Sequence, residues 1–247
     1  MFGPNALKAA LASAAETQTI EDLVRDDRRF ADVWSVASVV PGSFGPLNAA
    51  AMFGLLRDLP AARVVEIGSY LGRSTVFFAK TLQIMKAQSP QVVAIDPHTG
   101  DRQQMEMLGA ARLPSFDLFS THLAACGVSD LVRPIVKRSS EAAVGWAEPI
   151  DFLYIDGWHS YEAVMQDGRD WLPHLRPAGV VFFDDYARYA EVSRAVEDLA
   201  AEGRFVLWGN AFGQAVGGRG DSPPAAQRML KITRTVLARR LYRPRNR

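Results

Sequence analysis

An α/β fold, a seven-stranded and mostly parallel sheet with helices on both faces plus helical N- and C-terminal extensions, is what the sequence predicts, on three observations. Two apolar runs stop at acid: Phe152 to Ile155 run into Asp156, and Val180 to Phe183 run into Asp184 and Asp185. Such runs read as parallel strands buried on both faces. Between them, Ser160 to Leu175 carries Tyr161, Val164, Met165, Trp171 and Leu172 at mostly helical spacing, with Pro177 and Gly179 expected to stop the helix. Two further strand-like runs, a short one at 64–65 and another at 91–96, are each followed by turn and helix signals.

Taken in order, residues 1–38 read as one or two helices, and the charged run from Glu21 to Arg29 reads as a solvated face. Their expected role is to cover a site or meet a partner. Pro41, Gly42, Ser43, Gly45 and Pro46 form a loop that can wall a cleft, and Leu47 to Leu59 fits a helix ended by Pro60. Val64 and Val65 make a short buried strand, Gly68 and Gly72 permit a tight turn, and a helix follows from Ser74. The 91–96 strand ends in Asp96, about 20 residues beyond that turn, where doubly wound folds keep a ribose-binding acid. His98 to Pro114, with Arg102 and Arg112, reads as a polar loop and helix overhanging the cleft. Phe116 to Ala125 reads as helix, 132–136 as strand and 137–143 as its following turn, with Ser139 and Ser140 placed to meet an adenine edge. Arg188 to Ala201 is helical, Arg204 to Trp208 and Gln214 to Val216 suit an antiparallel closing pair, and Gly217 to Pro224 reads as a flexible linker. The division expected is a helical extension at 1–40, a main domain at 41–217, and a linker with a basic tail at 218–247.

Composition narrows the function. At 247 residues and 48% hydrophobic, the chain can bury one large α/β core. No apolar run approaches the ~20 residues of a membrane helix, and Lys8, Glu16 and Glu21 interrupt the Ala-rich start, so a cytoplasmic protein is expected. The single cysteine, Cys126, allows no internal disulfide and no zinc-type cluster. Eight of the 28 bases lie beyond Asp221 with no acid among them, so the remainder, carrying all 27 acids, is net negative. An acidic body with a basic tail is not the footprint of a nucleic-acid-binding domain. Met229, Ile232, Val236 and Leu241 can share a helical stripe in that tail, which points to a homodimer contact or an anionic surface.

The acids carry the chemistry. A right-handed crossover puts the carboxyl ends of both strands side by side, so Asp156, Asp184 and Asp185 converge on one sheet edge. Three carboxylates there repel unless a cation or bound protons compensate them, and a hard divalent metal is the simplest compensation. His159, three residues past Asp156, stands in the turn above that edge as a candidate base. Trp158 and Tyr161 fit either an acceptor pocket or the core. The glycine turn is G-x-x-x-G preceded by Glu66, not the G-x-G-x-x-G that cradles a pyrophosphate, and it suits a cationic, non-phosphate ligand.

VVEIGSYLGRST followed by VVAID resembles the first two motifs of class I S-adenosylmethionine-dependent methyltransferases, whose sheet is Rossmann-like. DFLYIDGWHSY with GVVFFDDY resembles their metal-dependent O-methyltransferase branch. The resemblance covers about residues 40–216. It implies S-adenosylmethionine as cofactor, a pocket shaped by Glu66, Gly68, Ser69, Gly72, Ser74 and Asp156, ribose held by Asp96, adenine beside Ser139 and Ser140, and Mg²⁺ on Asp156, Asp184 and Asp185. Catechol methyltransferases have lysine at the position of His159 and often asparagine at that of Asp185. The histidine is closer to the macrolide-sugar methyltransferases, so the expected acceptor is a small molecule, a sugar or glycoside with neighbouring hydroxyls, and His159 the catalytic base. The readings set against this are a phenolic or catechol acceptor, a nicotinamide-dependent oxidoreductase on the same kind of sheet, and a catalytically silent nucleoside-binding subunit.

Overall fold

The computed structural model describes residues 14–25, 27–59, 62–86, 91–99 and 115–241. Its seven strands are β1 (Arg63–Ile67), β2 (Gln91–Ile95), β3 (Val132–Ile135), β4 (Ile150–Ile155), β5 (Leu175–Phe183), β6 (Val206–Ala211) and β7 (Gln214–Gly218), in the sheet order β3-β2-β1-β4-β5-β7-β6. The first five are parallel, and β7 runs antiparallel to both β5 and β6. The expected mostly parallel sheet and its closing antiparallel pair are therefore present.

Strand alternation divides the interior into two layers. Val64, Phe152, Tyr154 and Phe182 face one cluster, while Val65, Leu153, Val181 and Phe183 face the other. The first layer is closed by α1 (Ala14–Val24), α2 (Arg29–Ala37), α3 (Pro46–Leu56), α4 (Arg73–Ile84), α5 (Ser115–Ala125) and α9 (Pro224–Leu241). The second is closed by α6 (Ser139–Ala143), α7 (Tyr161–Trp171) and α8 (Ala190–Ala201).

The N-terminal helices are part of this core rather than an appendage. Phe30 stacks on Trp34 with centroids 6.5 Å apart and meets Phe53 of α3 edge-on at 5.5 Å. The charged run beside them is only partly solvated: Asp27 holds Arg29 at 2.7 Å, and Arg57, its side chain 7% exposed, reaches the same carboxylate at 3.5 Å.

Three expected boundaries move. The helix in the crossover ends at Trp171, and a 3-10 turn at Leu172–His174 follows it, so Pro173 rather than Pro177 marks the stop. Pro177 and Gly179 instead lie in β5, where Ile150 pairs with Leu175 and Phe152 with Val180, so the intervening residues bulge out of the ladder. Gly217 and Gly218 are strand, not linker. A Cβ on Gly217 would lie 2.3 Å from the Val206 carbonyl oxygen and 2.6 Å from the Phe205 ring, so glycine is required there by close packing.

The basic tail is a helix laid on the body. Ala226, Met229, Leu230 and Thr233 of α9 are buried, with Ile232 packed beside them, while Lys231 and Arg234 face outward. The stripe expected to meet a second subunit is thus spent, at Met229 and Ile232, on the chain's own core. The expected overhang with Arg102 and Arg112 lies outside the described residues. Among the described residues no helix is long and apolar enough to cross a membrane.

Candidate active site

The carboxyl edge of the sheet is built by continuation of the ladder beyond the strand ends. Gly68 N donates to Ile95 O, Asp156 N to Ile67 O, Asp184 N to Ile155 O and Asp96 N to Ile135 O, at 2.8–3.2 Å. Gly68, Asp96, Asp156 and Asp184 are therefore held side by side as the last rungs. Above them opens a cavity of about 620 Å³, a size suited to a small-molecule ligand. Gly68, Asp96, Ser139, Ser140 and Asp156 line it, as the sequence led us to expect, together with His159, Asp185 and Ser43 of the loop before α3.

At the β1–β2 end, Asp96 accepts the Tyr70 N–H at 2.8 Å on one oxygen and the His98 N–H at 2.6 Å on the other. Two fixed donors orient the carboxylate and leave lone pairs for a diol. Gly68 has φ +90°, and a Cβ there would stand 1.9 Å from the Asp156 carbonyl oxygen, so the turn packs directly on the β4 edge. These features fit a nucleoside whose ribose meets Asp96. Ser43 is held nearby: the Arg73 guanidinium, on the first turn of α4, donates to the carbonyls of Val40 at 2.5 Å and Phe44 at 3.3 Å.

Four expected pocket residues do not line the cavity. Glu66 points to the opposite face from Val65 and Ile67 because side chains alternate along β1, and it is fully buried. It accepts the Thr75 hydroxyl at 2.5 Å, and its other oxygen has no partner. Burial pushes its carboxyl from 4.5 up to about 7, against the stabilising pull of Ser74 and Thr75. Glu66 therefore braces the start of α4, behind the cavity wall. Ser74 lies on that brace, Ser69 is buried with its hydroxyl unpartnered, and Gly72, at φ +92°, packs against the Phe119 ring.

At the β4–β5 end, ligand atoms of Asp156, His159 and Asp185 lie within 4.8 Å of one another. Burial, then repulsion by Asp184, Asp185 and Glu66, holds the Asp156 carboxyl well above the usual carboxylate range. Asp184 is also raised by burial, less so because the Gln214 amide donates to it at 2.6 Å. Asp184 lies against Asp156 but is not one of the three groups in the close cluster, where His159 stands beside Asp156 and Asp185. His159 Nε2 is 3.0 Å from Asp185 Oδ2, yet it is buried without hydrogen-bond geometry to any partner. Carboxylates gathered in a half-buried cluster, with the unpartnered imidazole nitrogen of His159 beside them, fit a divalent cation.

Three side chains here went unread in the sequence. Asp167 lies on the buried face of α7, three residues after Val164 and four before Trp171; a carboxylate on an apolar stripe was the available signal. It accepts the Ser139 hydroxyl, lines the cavity, and is pushed up to about 6 by burial. Gln214 and Tyr189 had no motif to mark them.

Residues 65–186 match the family model described as a methyltransferase domain. Several solved structures share the fold. The O-methyltransferase NovP superposes with a TM-score of 0.60 at 16% identity, over 72% of this chain and 81% of that one. An O-methyltransferase from Bacillus cereus in complex with SAH gives 0.54 at 19%, over 81% and 96%. CalS11, a TDP-rhamnose 3'-O-methyltransferase of calicheamicin biosynthesis, gives 0.52 at 16%, over 87% and 99%. The domain match spans the stretch from the glycine turn to the paired aspartates, and so this chain carries a methyltransferase domain, on the fold of the solved O-methyltransferases.

Proposed function

We propose that the enzyme moves the methyl group of S-adenosylmethionine to a hydroxyl of a sugar or glycoside bearing neighbouring hydroxyls, with Mg²⁺ at the acidic end of the cavity. The observation that carries this reading is the cluster of Asp156, Asp185 and His159 at one end of a cavity whose other end holds Asp96. The acceptor oxygen forms its new bond to carbon as the carbon–sulfur bond breaks, so the protein must align three atoms and remove one proton. Asp96 takes the ribose hydroxyls. Asp156 and Asp185 would hold the cation, with Asp184 beside Asp156 adding negative charge. A hard cation such as Mg²⁺, when bound there, would supply Lewis acidity that makes a neighbouring acceptor hydroxyl more acidic. His159 Nε2 receives the proton. CalS11 is a TDP-rhamnose 3'-O-methyltransferase, which supports trying sugar acceptors first.

The test is methyl transfer from labelled S-adenosylmethionine to a panel of sugars, phenols and glycolipids, with and without EDTA. Transfer to a vicinal-diol sugar, abolished by EDTA and restored by Mg²⁺, is expected, while SAH binding survives EDTA. Asp156→Asn should bind SAH and fail to respond to Mg²⁺. Transfer indifferent to EDTA would remove the metal from the reaction.

A further inference from the structure

We infer that Tyr189 is a positioning residue for His159: its ring, laid against the imidazole, sets the direction in which Nε2 faces the carboxylates. The inference rests on the proposed role of His159 and deepens it. The two rings are stacked with centroids 4.6 Å apart and planes 14° from parallel. Both line the same cavity. Histidines that work as bases or ligands are usually oriented by a hydrogen bond on the second ring nitrogen. No such bond to His159 is made among the described residues, and its Nε2 has only the 3.0 Å approach of Asp185. The face contact with Tyr189 is thus what fixes the plane of the ring.

The local backbone shows why this arrangement is reproducible. Asp185 adopts a left-handed conformation, φ +53°, which turns the chain sharply after β5. Its carbonyl then accepts the N–H groups of Arg188 at 2.9 Å and Tyr189 at 3.1 Å. One short turn therefore delivers two contacts to the same imidazole, the Asp185 carboxylate at the edge and the Tyr189 ring on the face. Tyr189 is itself steadied. Its carbonyl accepts the Ser193 N–H at 3.1 Å as α8 begins, and the Arg188 guanidinium lies 5.2 Å from its ring centroid. Among the described residues the Tyr189 hydroxyl makes no hydrogen bond, so the aromatic face is the working group and phenylalanine should replace it. A proton acceptor must point along the acceptor O–H within a narrow angle, so a freed imidazole slows chemistry more than it weakens binding.

The experiment uses the full chain labelled with ¹³C-histidine. Only four histidines are present, at 98, 122, 159 and 174, and the His159 resonance is identified by its loss in His159→Gln. In the wild-type chain the His159 ring protons should show cross-relaxation to the Tyr189 ring and an upfield ring-current displacement. Tyr189→Leu should abolish the displacement while leaving the other three histidine signals and the SAH affinity unchanged, and Tyr189→Phe should restore it. With the vicinal-diol sugar that turns over in the acceptor panel, kcat should fall about 10- to 100-fold in Tyr189→Leu at constant KM for S-adenosylmethionine, and recover in Tyr189→Phe. Absence of the wild-type cross-relaxation overturns the inference whatever the variants do. So does a Tyr189→Leu enzyme that loses the displacement but keeps its kcat. If no sugar turns over, the proposed function fails instead, and the spectra still decide whether Tyr189 sets the imidazole.

Discussion

Glu66→Gln should change how stability depends on pH more than it changes the fold. Glu66 is fully buried against Thr75, and burial raises its carboxyl from 4.5 to about 7. Below pH 4.5 the group is protonated in both folded and unfolded chains and contributes no pH dependence. Between 4.5 and about 7 the unfolded chain ionises while the folded chain keeps its proton, so stability falls as pH rises; above about 7 both forms are ionised and the penalty is constant. At ~1.4 kcal/mol per pH unit, the interval amounts to about 3 kcal/mol. Glutamine has no such ionisation. Urea unfolding of both proteins, followed by fluorescence of the buried Trp34 and Trp171, gives ΔG at each pH. The wild-type value minus the variant value should fall by about 3 kcal/mol from pH 4.5 to 8. A difference flat across that range would refute the brace as an ionisable, desolvated group.

Other consequences are as direct. Asp96→Ala should fold and lose about 1.5–3 kcal/mol of SAH affinity by calorimetry, the worth of hydrogen bonds to a charged group; unchanged affinity would remove Asp96 from the site. Gly217→Ala should destabilise by several times the ~1 kcal/mol of an average substitution, because its Cβ would stand 2.3 Å from the Val206 oxygen; a melting temperature equal to wild type would contradict the packing of β7. Met229→Ala should cost about 2–5 kcal/mol on unfolding in urea, as a core truncation does, and a cost near zero would return α9 to the status of a free tail.

The sequence carried the sheet edge well because its signals are local. Apolar runs ending in Asp96, Asp156 and the Asp184–Asp185 pair place those residues on one edge once the crossover hand is known, and His159 follows by its spacing from Asp156. What escaped depended on contacts between distant segments. Side-chain alternation in β1 turns Glu66 away from the cavity, a fact hidden by its position beside the glycine turn. Gln214 reaches Asp184 only because β7 inserts beside β5. The glycines at 217 and 218 looked like linker since composition does not distinguish freedom from crowding, and α9 looked like a tail because its arginines outweigh its few buried residues.

The insertion of β7 between β5 and β6 has a consequence for the order in which the protein can be made. On a ribosome, β5 and its two aspartates emerge before the strand that pairs with them, and β6 emerges earlier than β7 yet ends farther from β5. The acidic edge must therefore wait, its β5 backbone open, until Gly218 has left the exit tunnel and the hairpin can dock as a unit. A nascent chain halted after β6 would present Asp156, Asp184 and Asp185 on an unfinished sheet. Its Asp184 would lack the amide of Gln214, and the enzyme's last-made strand would be the one that quiets its charge.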